Sequence, residues 1–258
     1  GALRLGGVPV LGLWARRAAP ARAAGSTAGV AAFSSAPPDI LLETEVVLLA
    51  VRDQVITEVA QMLLGTGLIN KRHVLLHCAG AASAQEVLGA VADQVAGIGT
   101  MHPLSAIADG KLSMRALKGT VFGVEGDERG RATAGKLVGA LGGVVLPLDG
   151  AQMAAYHAAA ALASNYVVAA LDAAAAVLAT AGVPADKAAT ALVPLAEGAL
   201  RNVASHGTTA GLTGPVRRGD RATVERHLEA LRPQPELVEI YRVLARRAVA
   251  IAQRVEGA

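Results

Sequence analysis

The stretch from Glu45 to Cys78, EVVLLAVRDQVITEVAQMLLGTGLINKRHVLLHC, indicates the fold of the first half of the chain. It begins with the apolar run EVVLLAV and ends with HVLLHC, and both runs are typical of strands buried on both faces of a sheet. Between them, Val55, Ile56 and Val59 follow helical spacing. A strand, a helix and a second strand in this order predict a βαβ unit with parallel strands.

The same alternation continues on both sides of this stretch and stops near residue 149. Further strands are expected at residues 7–14, 30–33, 97–101, 119–125 and 144–148, and further helices at 18–24, 83–95 and 127–141. Ser83 and Glu86 predict a capping box at the start of the helix at 83–95. After Gly150 only helices are expected, at residues 151–181, 184–206, 220–230 and 235–255. The sequence therefore predicts an α/β domain with a mostly parallel sheet at 1–149 and an all-helical domain at 150–258.

Composition excludes several classes of protein. Hydrophobic residues make up 53% of the 258 and charged residues 17%, so the chain is globular, with a large core. The net charge of +3 comes from scattered arginines, whereas nucleic-acid binding needs a concentrated basic face. The single cysteine, Cys78, excludes an internal disulfide and a cysteine metal cluster and predicts a reducing, cytoplasmic compartment. The run 151–171 has the length of a membrane span, but its polar residues favour a soluble core helix.

The beginning of the chain allows two interpretations. Arg4, Arg16, Arg17 and Arg22 precede the first acidic residue, Asp39, and an arginine-rich, acid-free segment is typical of an organelle transit peptide. The apolar run at 7–14, opened by glycines, instead favours a strand, and we prefer that interpretation. Residues 1–5 resemble the tail of a helix, so we expect a further strand and turn upstream.

Ligands bind an open parallel sheet outside the carboxyl ends of its strands. The residues predicted at those ends, and therefore candidate cofactor contacts, are Arg16, Arg17, Ala50, Val51, Ala79 and Gly80. Arginines after an early strand accommodate a 2′-phosphate, which favours NADP over NAD, although a solvated basic turn is equally consistent with the pair. Small residues after the later strands allow close backbone approach to a ligand, or form ordinary turns. The G-x-G-x-x-G loop that holds a pyrophosphate is not found in the sequence.

Four polar residues are candidates for catalysis. His102 follows a predicted strand and precedes Pro103, a place suited to acid–base chemistry, although a structural histidine is the alternative. In the predicted helix at 151–181, His157, Ser164 and the neighbouring Asn165 lie along one polar stripe. A buried polar stripe needs hydrogen-bonding partners, which are either core groups or a ligand.

The loop LTGPVRRGD at residues 212–220 provides candidate substrate contacts. Asp220 is expected to cap the following helix. Arg217 and Arg218 are suited to bind a substrate carboxylate or phosphate, or are simply solvated. We include all three residues among the predicted substrate contacts, and we predict no metal site.

Several motifs together resemble one little-characterised family. They are HCAGA at 77–81, MHPL at 101–104, VEGD at 124–127, YHA at 156–158 with ASNY at 163–166, and LTGP at 212–215 with RGD at 218–220. Members of that family pair a Rossmann-like NADP-binding domain with a C-terminal helical domain of unknown function. Their layout is similar to that of pyrroline-5-carboxylate reductase, ketopantoate reductase, prephenate dehydrogenase and the 3-hydroxyisobutyrate dehydrogenase group.

The resemblance has consequences for the first strand and for the site. It implies that the glycine loop lies upstream of Gly1, so that this chain is truncated at its N-terminus. It supports His102, because prephenate dehydrogenases use a histidine in a similar His-Pro segment. Hydroxyacid dehydrogenases place a lysine and an asparagine on the long interdomain helix, whereas His157, Ser164 and Asn165 have no lysine beside them.

Two hypotheses for the function follow. The first is an NADP-dependent oxidoreductase that transfers a hydride to or from a small polar metabolite, with no role in binding nucleic acid or membranes. The second is a non-catalytic dinucleotide-binding or assembly protein. In both, the helical domain, rich in small residues, predicts a homodimer.

Overall fold

The computed structural model describes residues 1–106 and 117–255, which divide into two compact units. The first unit is Gly1–Leu162 and the second is Ala163–Ala258. The first unit therefore extends beyond the last strand and includes most of the helix that follows it. That helix is held there by Met153 and Tyr156, which are both buried.

The first unit contains two groups of strands. Strands β1 (Gly12–Ala15) and β2 (Ala31–Ser34) form a parallel pair. The larger sheet has the order β3-β4-β5-β6-β7, with bounds Val46–Leu49, Val74–His77, Gly97–Pro103, Val121–Gly126 and Val144–Pro147. Its strands are parallel except between β5 and β6, which confirms a mostly parallel sheet. The upstream strand remains a prediction.

Helices connect these strands in the predicted order. They are α1 (Ala2–Leu5), α2 (Ala18–Ala28), α3 (Ile56–Gly65), α4 (Ala84–Leu88), α5 (Glu128–Ala140) and α6 (Met153–Ala163). The capping box at Ser83 and Glu86 is present. The predicted helix at 83–95 is shorter than expected, because after Leu88 the chain continues as a 3-10 turn from Gly89 to Gln94.

Alternating side chains of the sheet fill two cores. In β4, Leu75 belongs to a core with Ile56 and Leu88 from the helices on one face. Val74 and Leu76 belong to a second core on the opposite face. Because successive residues of a strand point to opposite sides, a continuous apolar run buries both faces of the sheet.

The first strand begins later than predicted. The expected strand at 7–14 is a loop until Gly12. Gly7 adopts a φ of 81°, outside the range of strands, and Pro9 has no N–H to donate to a neighbouring strand. The transit-peptide interpretation did not predict a strand here, and β1 is one.

The second unit is helical, as predicted. Its helices are α7 (Asn165–Thr180), α8 (Ala185–Gly211), α9 (Arg221–Leu231) and α10 (Pro235–Ala252). The single helix expected at 151–181 is wrong, because Ser164, at φ −125° and ψ −76°, separates α6 from α7. Serine and asparagine compete with the helical backbone for hydrogen bonds and favour helix ends. Among the described residues, the stretch Gly150–Thr180 is long and apolar enough to cross a membrane, which by itself is weak evidence.

Two glycines of α5 provide a matched test of the packing between this helix and β5. A methyl group at Gly130 would lie 1.9 Å from the Ile98 carbonyl oxygen, whereas one at Gly135 meets nothing within 4 Å. We expect Gly130→Ala to lower the free energy of unfolding by about 1–3 kcal/mol or more, because the helix must move away from the strand. Gly135→Ala should raise it by roughly 0.5–1 kcal/mol through helix propensity. Urea denaturation measures both, and equal effects of the two variants would contradict this packing.

Candidate active site

The carboxyl ends of β3, β4 and β5 lie at one edge of the sheet, because these strands are parallel neighbours. Ala50 follows β3, Ala79 and Gly80 follow β4, and His102 lies near the end of β5. Helix α6 contributes Tyr156 and His157 to the same place. The candidate active site is therefore built entirely within the first unit.

Tyr156 connects α6 to β5 and β6. Its hydroxyl oxygen lies 3.1 Å from the Gly123 nitrogen, which donates to it. It also lies 2.9 Å from the His102 carbonyl oxygen and 3.0 Å from His102 Nδ1. The two rings meet edge to face, with their centroids 5.5 Å apart. The hydroxyl thus fixes both the main chain and the imidazole of His102.

Gly80 forms the floor beneath the two predicted histidines. A methyl group on Gly80 would lie 2.8 Å from His102 Nε2 and 2.5 Å from His157 Cδ2, so only glycine fits there. The two imidazoles stand edge to face with their centroids 5.6 Å apart. The structure therefore brings together His102, His157 and Gly80, which the sequence had placed in three separate motifs.

A buried chain of hydrogen bonds supports this floor from below. The Ala79 nitrogen donates to His77 Nδ1 at 3.1 Å, and His77 Nε2 lies 2.8 Å from Thr100 Oγ1. Thr100 Oγ1 in turn donates to Glu125 Oε2 at 3.3 Å, and Glu125 Oε2 accepts from the Ala84 nitrogen at 2.7 Å. Because Nδ1 accepts, the proton of a neutral His77 is on Nε2. The chain joins three strands to the start of α4.

Burial favours the neutral form of two histidines, His77 and His102. It lowers the pKa of His77 to about 4, against a weaker opposing effect of the Asp53 carboxylate. Burial and the nearby His157 lower the pKa of His102, again opposed by Asp53. Burial also raises the pKa of the Cys78 thiol to about 11, so Cys78 is a protonated thiol at neutral pH.

The predicted cofactor contacts occupy the same edge of the first unit. Arg16, just after β1, pairs with Glu58 in the first turn of α3 at 3.2 Å, and both side chains are exposed. Because α3 follows β3, this pair places the carboxyl ends of β1 and β3 at a common edge. Arg17 precedes α2 and makes no capping bond with its side chain. Ala50 and Val51 are exposed, and Ala79 is buried.

These residues fit part of a dinucleotide. The chemistry of Arg16 and Arg17 suits a phosphate, and Gly80 lets the backbone after β4 lie close to the rings of His102 and His157. The loop that would hold the pyrophosphate is not in the sequence. Among residues 1–106 and 117–255, no group of three histidine, cysteine or acidic residues is arranged to hold a metal ion.

The other predicted catalytic residues lie in the second unit. Ser164 precedes the first residue of α7 and donates from Oγ to Asn165 Oδ1 at 3.3 Å. Since the helix breaks at Ser164, the continuous polar stripe from which these residues were predicted does not exist. Their catalytic role stays a prediction.

In the predicted substrate loop at residues 212–220, Asp220 has a structural role. Asp220 caps α9, accepting from the Thr223 nitrogen at 3.0 Å and from Thr223 Oγ1 at 2.7 Å. These bonds lower the pKa of the Asp220 carboxyl. Arg217 is half-buried and Arg218 is exposed, and their binding of a substrate anion stays a prediction.

Sequence reasoning missed four residues of the site. Asp53, His77, Thr100 and Glu125 were not predicted, although His77 and Glu125 lie in two of the motifs quoted for the resemblance. Tyr156 was noted only as a neighbour of His157. The sequence contained one indication of His77, because HVLLHC places a polar residue at the carboxyl end of a buried apolar strand, where ligands bind.

The chain was compared with protein families and with solved structures, and both comparisons found matches. Residues 120–248 match the model of a family described as a domain of unknown function, DUF2520. Protein TM1727 of Thermotoga maritima is 24% identical, with a TM-score of 0.75 over 94% of this chain and 90% of that one. Among curated proteins no sequence match was found.

Two further solved structures share the fold. The 1-pyrroline-5-carboxylate reductase of Streptococcus pyogenes is 14% identical, with a TM-score of 0.62 over 96% of this chain and 93% of that one. A reductive aminase of Aspergillus terreus, in complex with NADPH and ethyl levulinate, is 18% identical, with a TM-score of 0.62 over 99% and 94%. The Rossmann-like fold followed by helices, and the resemblance in layout to pyrroline-5-carboxylate reductase, are confirmed.

The buried neutral His77 predicts a loss of stability in acid. Between its ordinary pKa of 6.5 and the folded value of about 4, the unfolded chain binds a proton that the folded chain does not. Stability should therefore fall as the pH falls from 6.5 to 4, by up to about 3 kcal/mol. Urea unfolding at several pH values measures this slope. His77→Gln should be less stable at pH 7 but should lack most of the slope, and an unchanged slope in that variant would contradict the assignment.

Proposed function

The chain belongs to the family described as domain of unknown function DUF2520, and from its site we propose that it is an NADP-dependent oxidoreductase. It would transfer a hydride to or from a carbon of a small polar metabolite. The nicotinamide supplies the hydride chemistry when it is bound, and the protein orients the substrate and moves a proton. We propose that this occurs in the cytoplasm, in keeping with the reduced cysteine.

One observation carries the proposal. His102 presents Nε2 over Gly80 at the carboxyl edge of the sheet, where ligands of open α/β sheets bind. Among the described residues no hydrogen bond to Nε2 is present, and we infer that the substrate supplies one. A positioned imidazole within reach of the reacting carbon is the usual proton donor or acceptor in such chemistry.

The nucleotide would be held by residues at the same edge. We assign Arg16 and Arg17 to the 2′-phosphate, Ala50 and Val51 to the middle of the cofactor, and Ala79 and Gly80 to the nicotinamide end. The complex of the fungal reductive aminase with NADPH supports this choice of cofactor. His157, whose ring also lies over Gly80, would contact the substrate beside His102.

His102→Asn tests the oxidoreductase directly. The binding of NADPH, followed by its fluorescence, should be unchanged, because the imidazole only moves a proton. Turnover of any substrate found in a panel of carbonyls, imines, alcohols and amines should fall roughly 10²–10⁴-fold. His206→Asn, at an exposed histidine of α8, is the control and should be fully active. If NADPH binds and no compound consumes or produces it, the catalytic proposal fails and a dinucleotide-binding protein remains.

The second unit favours assembly with a second copy of the chain. In the described part of this unit the buried apolar residues are Ala188 and Leu231, whereas α7 and α10 have none. Between 41% and 72% of each of nine large apolar side chains is exposed: Tyr166, Val168, Val193, Leu195, Leu200, Val203, Val243, Leu244 and Val249. Together they expose on the order of 800 Å², about what one partner buries in a standard interface. A helical unit with so little core of its own is not expected to be stable alone.

We expect sedimentation to give twice the mass of one chain. Leu200→Glu in α8 should weaken association at least tenfold, because it places a charge in an apolar interface. Leu5→Glu, at a strongly exposed leucine of the first unit, is the matched control and should leave the mass unchanged. A monomeric wild-type chain, or equal behaviour of the two variants, would contradict a homodimer formed through the helical unit.

A further inference from the structure

The hydroxyl of Tyr156 determines which nitrogen of His102 carries a proton. It makes three short contacts, at 3.1 Å to the Gly123 nitrogen, 2.9 Å to the His102 carbonyl oxygen and 3.0 Å to His102 Nδ1. A phenol has one proton to donate and lone pairs that accept. The Gly123 N–H can only donate to it, and the His102 carbonyl can only accept from it.

Counting protons leaves one arrangement in which all three contacts are hydrogen bonds. The single proton of Tyr156 goes to the His102 carbonyl, so the contact with Nδ1 requires a proton on Nδ1. Neutral imidazole has one N–H, and Nε2 is then an unprotonated lone pair. The phenol itself stays protonated at neutral pH, since burial raises the pKa of Tyr156.

The lone pair on Nε2 lies beside Gly80, at the carboxyl edge of the sheet, where ligands of open α/β sheets bind. The titratable groups that face His102 are Tyr156 and His157 from α6, His77 from β4 and the Asp53 carboxylate after β3. His157 and burial disfavour the protonated imidazole and outweigh Asp53. Within residues 1–106 and 117–255, these titratable neighbours include neither a lysine nor an arginine, and Nε2 of neutral His102 is a hydrogen-bond acceptor.

We propose that Tyr156 is a positioning residue that holds His102 as its Nδ1–H tautomer, and that the site consequently takes substrates with a hydrogen-bond donor on the reacting carbon, an alcohol or an amine. This inference rests on the proposed oxidoreductase function. The proposed function allows a carbonyl, hydroxyl or imine compound as the substrate. This inference restricts the substrate of neutral His102 to an alcohol or an amine.

The chemical step balances with NADP⁺ as the oxidant. The substrate O–H or N–H bond breaks, and its proton passes to His102 Nε2. The C–H bond of the same carbon breaks, and its electron pair leaves as hydride to the nicotinamide. The substrate is oxidised to a carbonyl or an imine, and His102 becomes an imidazolium that returns its proton to solvent. The Nδ1–H bond to Tyr156 persists throughout, so the imidazolium is oriented as its neutral form was.

Nitrogen NMR of the full chain, labelled with ¹⁵N-histidine and free of ligands, tests the tautomer. His102, assigned by its loss in His102→Asn, should show a protonated Nδ1 and an unprotonated Nε2 at pH 7. Tyr156→Phe keeps the ring and removes the hydroxyl, so the pattern should shift toward the Nε2–H form that is common in solution. Tyr241→Phe, at a tyrosine of α10 that bonds His227, is the control and should leave the His102 pattern unchanged. An Nε2–H pattern in the wild type, or an Nδ1–H pattern that survives in Tyr156→Phe, would overturn the inference.

Steady-state kinetics distinguish a failure of this inference from a failure of the proposed oxidoreductase function. With NADP⁺ and alcohols or amines, kcat/KM should be flat above neutrality and should fall as the pH drops through the lowered pKa of His102, because the neutral base is required. In Tyr156→Phe, kcat should fall at least tenfold with KM changed little. Turnover of carbonyls or imines alone, fastest at low pH, would overturn the inference and uphold the oxidoreductase. If the NMR shows the predicted tautomer but no compound is turned over, the oxidoreductase function and the substrate class that rests on it are both wrong. Only the positioning role of Tyr156 then stands.

Discussion

The hydroxyl of Tyr156 is the interaction on which the rest of the site depends. It ties helix α6 to the antiparallel pair of β5 and β6, through the Gly123 nitrogen and the main chain of His102. Without this bond nothing described would fix the imidazole of His102 relative to Gly80. Because the helix is anchored at Tyr156, its neighbour His157 also faces the floor of the site. One side chain thus brings His102 and His157 together at the edge of the sheet.

The sequence was sufficient for the order of elements but not for their ends. Apolar runs such as VVLL and VLLH predicted strands correctly because a strand buried on both faces must be apolar throughout. Local chemistry decided the ends: Pro9 delays β1, and Ser164 interrupts the long alanine-rich helix. The helix break could not be foreseen from propensity, because alanine on both sides of Ser164 favours a continuous helix.

The site was predicted in part, for a similar reason. His102, Gly80 and His157 came from separate motifs, and only the fold shows that they meet. The buried chain of His77, Thr100 and Glu125 was not predicted, because a polar residue at the end of an apolar strand has no recognisable partner in sequence. The alignment of neighbouring strands brings these residues together. His77 lies beside Thr100 across β4 and β5, and Thr100 lies beside Glu125 across β5 and β6.

We propose that a nicotinamide binds beside His102 and Gly80. Proton–proton NOEs between the nicotinamide of NADPH and assigned histidine rings measure this most directly. We expect NOEs from the C4 protons of the nicotinamide to the rings of His102 and His157, and we expect Gly80→Ala to lose them, because its methyl group would displace both rings. Binding of NADPH without NOEs to either ring, or with unchanged NOEs in Gly80→Ala, would contradict it.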